Sequence, residues 1–120
     1  MVLKIDETKA EQIIRKADFG KCGGLLPVIV QDDSTDHVLM QAFMNPESLK
    51  LTLTTGQAHY WSRTRNRIWM KGEKSGHVQL VQKAFLDCDY DTLLLRVQQK
   101  GVVCHTGKET CFHNSIDSSQ

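Results

Sequence analysis

The stretch HVQLVQKAFLDCDYDTLLLRVQ, residues 77–98, decides the architecture. Two apolar-rich runs, 77–85 and 92–98, flank the polar insert DCDYD. Runs of this length, rich in β-branched and aliphatic residues and bounded by polar clusters, suit long strands. Working outward toward the N-terminus, HYWSRTRN and RIWMKG read as two further strands around a turn at Asn66. Asn45-Pro46 starts a helix: Asn is a favoured cap, Pro suits the first helical position, and Glu47 places a negative charge in the first turn. Leu49 and Leu53 share a face of that helix, and Gly56 ends it. Earlier still, LLPVIV (25–30) suits a buried strand with Pro27 near its start, QDDSTDH a polar turn, and HVLMQAFM the returning strand. Residues 7–18 form a first helix with Ile13, Ile14 and Ala17 on one face and Thr8 or Asp6 as its cap; Gly20, Gly23 and Gly24 then break the chain. No internal repeat or linker is visible. The expectation is one α+β domain over residues 1–120. It should be compact and sheet-rich, built on a curved sheet or partial barrel with two short helices.

Composition narrows the function classes. A chain of 120 residues with 40% hydrophobic and 24% charged residues and two prolines is expected to fold as one domain, its polar tail 114–120 excepted. A net charge of +1 supplies no global field for nucleic acid or a membrane surface. Arg63, Arg65, Arg67, Lys71 and Lys74 nevertheless cluster around a single acid, Glu73. This is either a solvated strand face or a pocket for phosphate or carboxylate groups. No opening segment resembles a signal peptide, and no apolar run approaches the ~20 residues of a membrane span. The expected location is the cytoplasm, where thiols stay reduced. The four cysteines are therefore read as metal ligands, nucleophiles or buried fillers before disulfides.

Cys88, Cys104 and Cys111 form no C-x-x-C pair, so the usual spacing signature of a zinc ribbon is missing. Asp87, Asp89 and Asp91 bracket Cys88, and three carboxylates this close repel unless a cation offsets them. An EF-hand is excluded, because Thr92 and Gln98 stand where that loop needs Gly and Glu. On a straight strand the outer aspartates would lie ~13 Å apart. Direct binding of one Mg²⁺ therefore requires the chain to curl, or water to bridge some contacts. Three thiolates without an obvious fourth ligand leave an open position, the arrangement of a catalytic zinc. Cys22, His105 and His113 are the candidates to close it. Cys22 is read as a free thiol, and His105 as a proton-transfer group, since in extended chain it points away from its neighbour Cys104.

The segments GLLPVIVQD, VLMQAFMN, YWSRTRNRIWMKGEKSGH, DCDYD and CHTGKETCF together resemble phosphoribosyl-AMP cyclohydrolase, an enzyme family of histidine biosynthesis. The resemblance runs from Gly24 to about Asn114, leaving the first helix and Cys22 outside the strongest motifs. It implies a homodimer with one Zn²⁺ per subunit, shared between Cys88 of one subunit and Cys104 and Cys111 of the other. It also implies Mg²⁺ on Asp87, Asp89 and Asp91. The implied reaction is the third step of histidine biosynthesis, hydrolysis of the N1–C6 bond of 1-(5-phosphoribosyl)-AMP by zinc-activated water. His105 would move the proton. Arg63, Arg65 and Lys71 would hold the phosphates, with Ser62, Ser75 and Thr106 as further donors. Glu73 and His77 join the substrate-binding set without a specific role, and Trp61 or Trp69 would stack on the base unless they serve the core. A second, pyrophosphohydrolase domain is fused in some members and is not expected here. The competing class is a non-catalytic zinc-stabilised binding module, which leaves the aspartate triplet unexplained.

Overall fold

A computed structural model describes residues 2–117; positions 118–120 of the expected polar tail lie outside the described residues. The element order is α1 (Glu7–Lys16), a 3₁₀ turn at Gly20–Cys22, β1 (Leu26–Asp32), β2 (Val38–Met44), α2 (Pro46–Thr55), β3 (His59–Ser62), β4 (Arg67–Met70), β5 (Gln79–Leu86) and β6 (Leu93–Gln99). Both expected helices form. Asp6 is the cap of α1, its carboxylate accepting from Lys9 N at 2.7 Å. Asn45 and Ser48 cap α2 reciprocally, each side chain accepting from the other's backbone N–H. Gly56 closes α2 in the left-handed conformation at φ 77°.

Strands β2-β1-β6-β5 form one mixed sheet, and β3-β4 a separate two-stranded one. The hairpin partners β1/β2, β3/β4 and β5/β6 are antiparallel, as short polar connections require. The β1/β6 pair is parallel, Val28 opposite Leu93 and Asp32 opposite Val97. Register shifts at Val30/Gln31 and Val81/Lys83 bend the sheet. Leu26, Val28 and Val30 of β1 and Leu93, Leu95 and Val97 of β6 alternate into one buried face. They share a cluster with Ala10 of α1 and Leu49 and Leu53 of α2.

A polar chain ties the two sheets together. The fully buried Gln79 accepts from the Tyr60 hydroxyl and donates to Gln99 Oε1 at 2.8 Å, and Gln99 donates on to the His77 carbonyl at 3.1 Å. Burial raises the Tyr60 phenol far above its ordinary pKa, so it remains a neutral donor. Because β6 runs the length of the four-stranded sheet, the segments that flank it lie at opposite ends. The β5–β6 turn lies at one end, and the segment following β6 lies at the other.

Candidate active site

At the first end, the insert DCDYD curls. Asp87 N donates to Thr92 O at 3.0 Å, and Tyr90 adopts a positive φ of 64°. Asp87 Oδ1 accepts from Asp91 N at 3.0 Å and Thr92 N at 3.2 Å. The curl replaces the straight-strand separation: Asp87, Asp89 and Asp91 each offer an oxygen, all within 4.8 Å of one another. Such an all-carboxylate donor set fits a hard divalent cation. The ammonium of Lys21 meets Asp89 at 3.0 Å and Asp91 at 3.3 Å. Lys21 holds the Asp89 carboxyl below the ordinary range, whereas Asp89 pushes Asp91 above it. Cys88 is exposed within this turn, and Cys22 is an exposed free thiol next to Lys21.

At the opposite end, the described residues after β6 form tight turns without regular elements. Cys104 N donates to Lys108 O at 3.1 Å and Gly107 N returns to Cys104 O at 2.9 Å. Cys111 N donates to Leu39 O at 2.8 Å, and Thr110 Oγ1 to Val38 O at 2.8 Å, docking this turn on β2. The Cys104 sulfur accepts from Thr106 Oγ1 at 3.1 Å and lies 3.9 Å from His113 Nε2. Hydrogen bonding from Thr106 lowers the Cys104 thiol to about 6, with His113 and Cys111 adding to the effect. Cys111 is raised, first by burial and then by Cys104 itself. The pair is thus polarised into a ready thiolate and a thiol, which suits a soft-ligand zinc site. His105 is exposed beside it. Lys71 Nζ donates to the Val103 carbonyl at 2.5 Å, immediately before Cys104.

Within one chain the third thiol is remote. Cys88 precedes β6 and Cys104 follows it, and the six steps from Leu93 to Gln99 alone span ~20 Å. Among the described residues, the aspartate trio is the group of three or more His, Cys, Asp or Glu side chains whose ligand atoms converge.

The β3–β4 hairpin carries the basic cluster. A cleft of about 300 Å³ is lined by Arg65, Arg67, Trp69, Glu73, Lys74 and Ser75, among others. A neighbouring hollow of about 330 Å³ shares Arg65 and Trp69 and adds Ser62 and Thr64. Arg65, Glu73, Ser75 and Ser62 thus come together. Four other candidates are engaged elsewhere. Arg63 stacks 4.1 Å over the Phe43 ring, Lys71 is on Val103, and Thr106 is on the Cys104 sulfur. The His77 ring packs against Gly101. Glu73 Oε1 accepts from Met70 N at 3.1 Å and so shapes the rim. Trp69 packs on Tyr60 with centroids 5.3 Å apart and also lines the cleft. Trp61, half-buried, pairs with Ile68 across the hairpin. Lys21 carried no signal in the sequence, whereas His113, one of the candidates to close the thiolate set, lies 3.9 Å from the Cys104 sulfur.

Fold and site together define a small α+β protein with a convergent carboxylate trio and a polarised thiol pair at opposite ends of one sheet. Residues 40–113 match the family model of phosphoribosyl-AMP cyclohydrolase. A phosphoribosyl-AMP cyclohydrolase of Streptococcus thermophilus is 56% identical over 101 residues, covering 84% of this chain and 90% of the relative. One from Cenarchaeum symbiosum is 50% identical over 106 residues, covering 88% and 98%. The histidine biosynthesis bifunctional protein HisIE of Wolinella succinogenes is 56% identical over 93 residues, covering 78% of this chain and 41% of that longer protein. The chain belongs to the phosphoribosyl-AMP cyclohydrolase family.

Proposed function

We propose that this chain hydrolyses the N1–C6 bond of 1-(5-phosphoribosyl)-AMP in histidine biosynthesis, opening the purine ring, as a cytoplasmic homodimer that binds zinc and magnesium. Family membership carries the reaction; the observation that carries the site is the division of the thiols. Cys104 and Cys111 stand as a polarised pair at one end of the sheet, and Cys88 is displayed on the surface at the other. A second copy that brings its Cys88 to this pair completes a three-thiolate set with one position open to water and substrate. When bound there, zinc supplies the Lewis acidity that makes water a nucleophile near neutral pH.

The chain's own groups have separable tasks. The Thr106 hydroxyl holds the Cys104 sulfur as thiolate, and Lys71 braces the carbonyl that precedes it. The exposed His105 accepts a proton from the attacking water and returns it to the departing ring N1, a role suited to imidazole. Arg65, Arg67 and Lys74 surround a cleft sized for a phosphoribosyl group, with Ser62 and Ser75 as neutral donors and Trp69 as a flat wall. Asp87, Asp89 and Asp91 hold Mg²⁺, away from the thiol pair of the same chain.

Ultraviolet absorbance follows the ring as it opens. Purified protein is expected to turn over phosphoribosyl-AMP, and zinc chelation or Cys104→Ala to reduce the rate to background. Full activity in rigorously metal-free protein would contradict the zinc assignment.

A further inference from the structure

The carboxylate trio already has a cation, and the chain itself supplies it. Lys21 Nζ lies 3.0 Å from Asp89 Oδ2 and 3.3 Å from Asp91 Oδ2. These are two of the three carboxylates that a divalent ion would share. The ammonium is not at the end of a loose segment. Asp18 N donates to Tyr90 O at 2.7 Å, fastening the start of the lysine's turn to the aspartate loop. Gly20 N donates to Asp18 Oδ1 at 3.0 Å, and Gly24 N to Phe19 O at 2.8 Å, closing the turn on both sides of Lys21. Phe19 anchors it to the core. Lys21 lies 66 residues or more before the aspartates in the chain and outside the motifs that carry the family resemblance.

We infer that Lys21 is a tethered counter-cation of the aspartate loop, competing with the divalent ion for Asp89 and Asp91 and thereby setting this chain's affinity for it. This rests on the reading of the trio as a cation site. With three ionised carboxylates the loop carries a charge of −3, and the lysine reduces it to −2. A divalent ion entering the trio meets the ammonium on two of its ligands and must displace it. Without the ion, Lys21 offsets the repulsion and keeps the loop in its curled form. Removing the lysine charge therefore strengthens divalent binding while loosening the ion-free loop.

The test is direct binding, independent of turnover. Full-length protein dialysed free of exchangeable divalent ions is titrated with Mg²⁺ by calorimetry and with Mn²⁺ by electron paramagnetic resonance. Lys21→Gln is expected to bind Mg²⁺ about three- to tenfold more tightly than wild type, the scale of two exposed ion pairs removed from competition. Lys21→Arg, which keeps the charge, should stay near wild type. Lys21 is exposed, so circular dichroism should show both variants folded. Equal or weaker Mg²⁺ binding by folded Lys21→Gln overturns the competition. Absence of binding in every protein, or binding unaffected by Asp89→Asn, overturns the cation site itself and the inference with it.

Discussion

Asp32 shows how much one side chain can organise. Its Oδ2 accepts from the backbone and hydroxyl of both Ser34 and Thr35, at 2.7 to 3.1 Å. Burial works to raise this carboxyl, but the donors of Ser34 and Thr35 outweigh it and hold it below the ordinary range. A depressed native pKa contributes stability above the unfolded value near 4 and loses it as pH falls through the native value. Asp32→Ala should therefore cost about 1 kcal/mol near pH 7. The melting curves of variant and wild type should converge as acidification takes the pH below the unfolded value and through the lowered native one. A gap unchanged by acid would contradict the assignment. At this scale the sequence was legible where chemistry is local. The polar turn QDDSTDH, the Asn45 cap and the aspartate cluster all announce themselves within a few residues. Lys21 does not: a lysine among glycines has no local signal, and its partners are far away in sequence.

Elements were legible where pattern and punctuation agree. Both helices and all six strands follow from apolar runs bounded by Gly, Pro, Asn and Asp. The parallel β1/β6 pairing was not legible, because it joins strands more than sixty residues apart and each reads equally well as half of a hairpin. The separation of β3/β4 from the main sheet was hidden for the same reason. One connection is especially constrained. Gly72 has φ 84°, and a Cβ there would lie 2.5 Å from His77 C and from Val78 N. Neither backbone atom can yield without moving the start of β5. Gly72→Ala should cost about 2 kcal/mol or more. It should also weaken substrate binding, because the same turn carries Glu73, Lys74 and Ser75 into the basic cleft. Thermal melts and KM together check this; a variant as stable as wild type would show that the turn can relax.

For the whole molecule, the decisive feature is that one chain separates the thiols that the proposed zinc site would bring together. The three cysteines could be named from sequence as candidate ligands, and the family motifs implied sharing, but spacing alone left a closed single-chain site open. The strand register supplies the physical reason. β6 stands between Cys88 and Cys104, and a strand cannot fold back on itself to bring its two ends together. Cys22 sits with Lys21 at the carboxylate end, so it does not substitute for Cys88 at the thiol pair of its own chain. Phe85 and Phe112 leave apolar surface exposed at a strand and a turn position.

The central claim is that a complete zinc site needs two copies of this chain. Cys88→Ala and Cys104→Ala proteins, each inactive alone, are mixed under conditions in which native mass spectrometry confirms subunit exchange, and phosphoribosyl-AMP turnover is measured. One site of each mixed dimer then holds Cys88 from one copy with Cys104 and Cys111 from the other. Random pairing should restore about a quarter of wild-type activity. No recovery in the presence of confirmed mixed dimers would contradict sharing and place all the zinc ligands within a single chain.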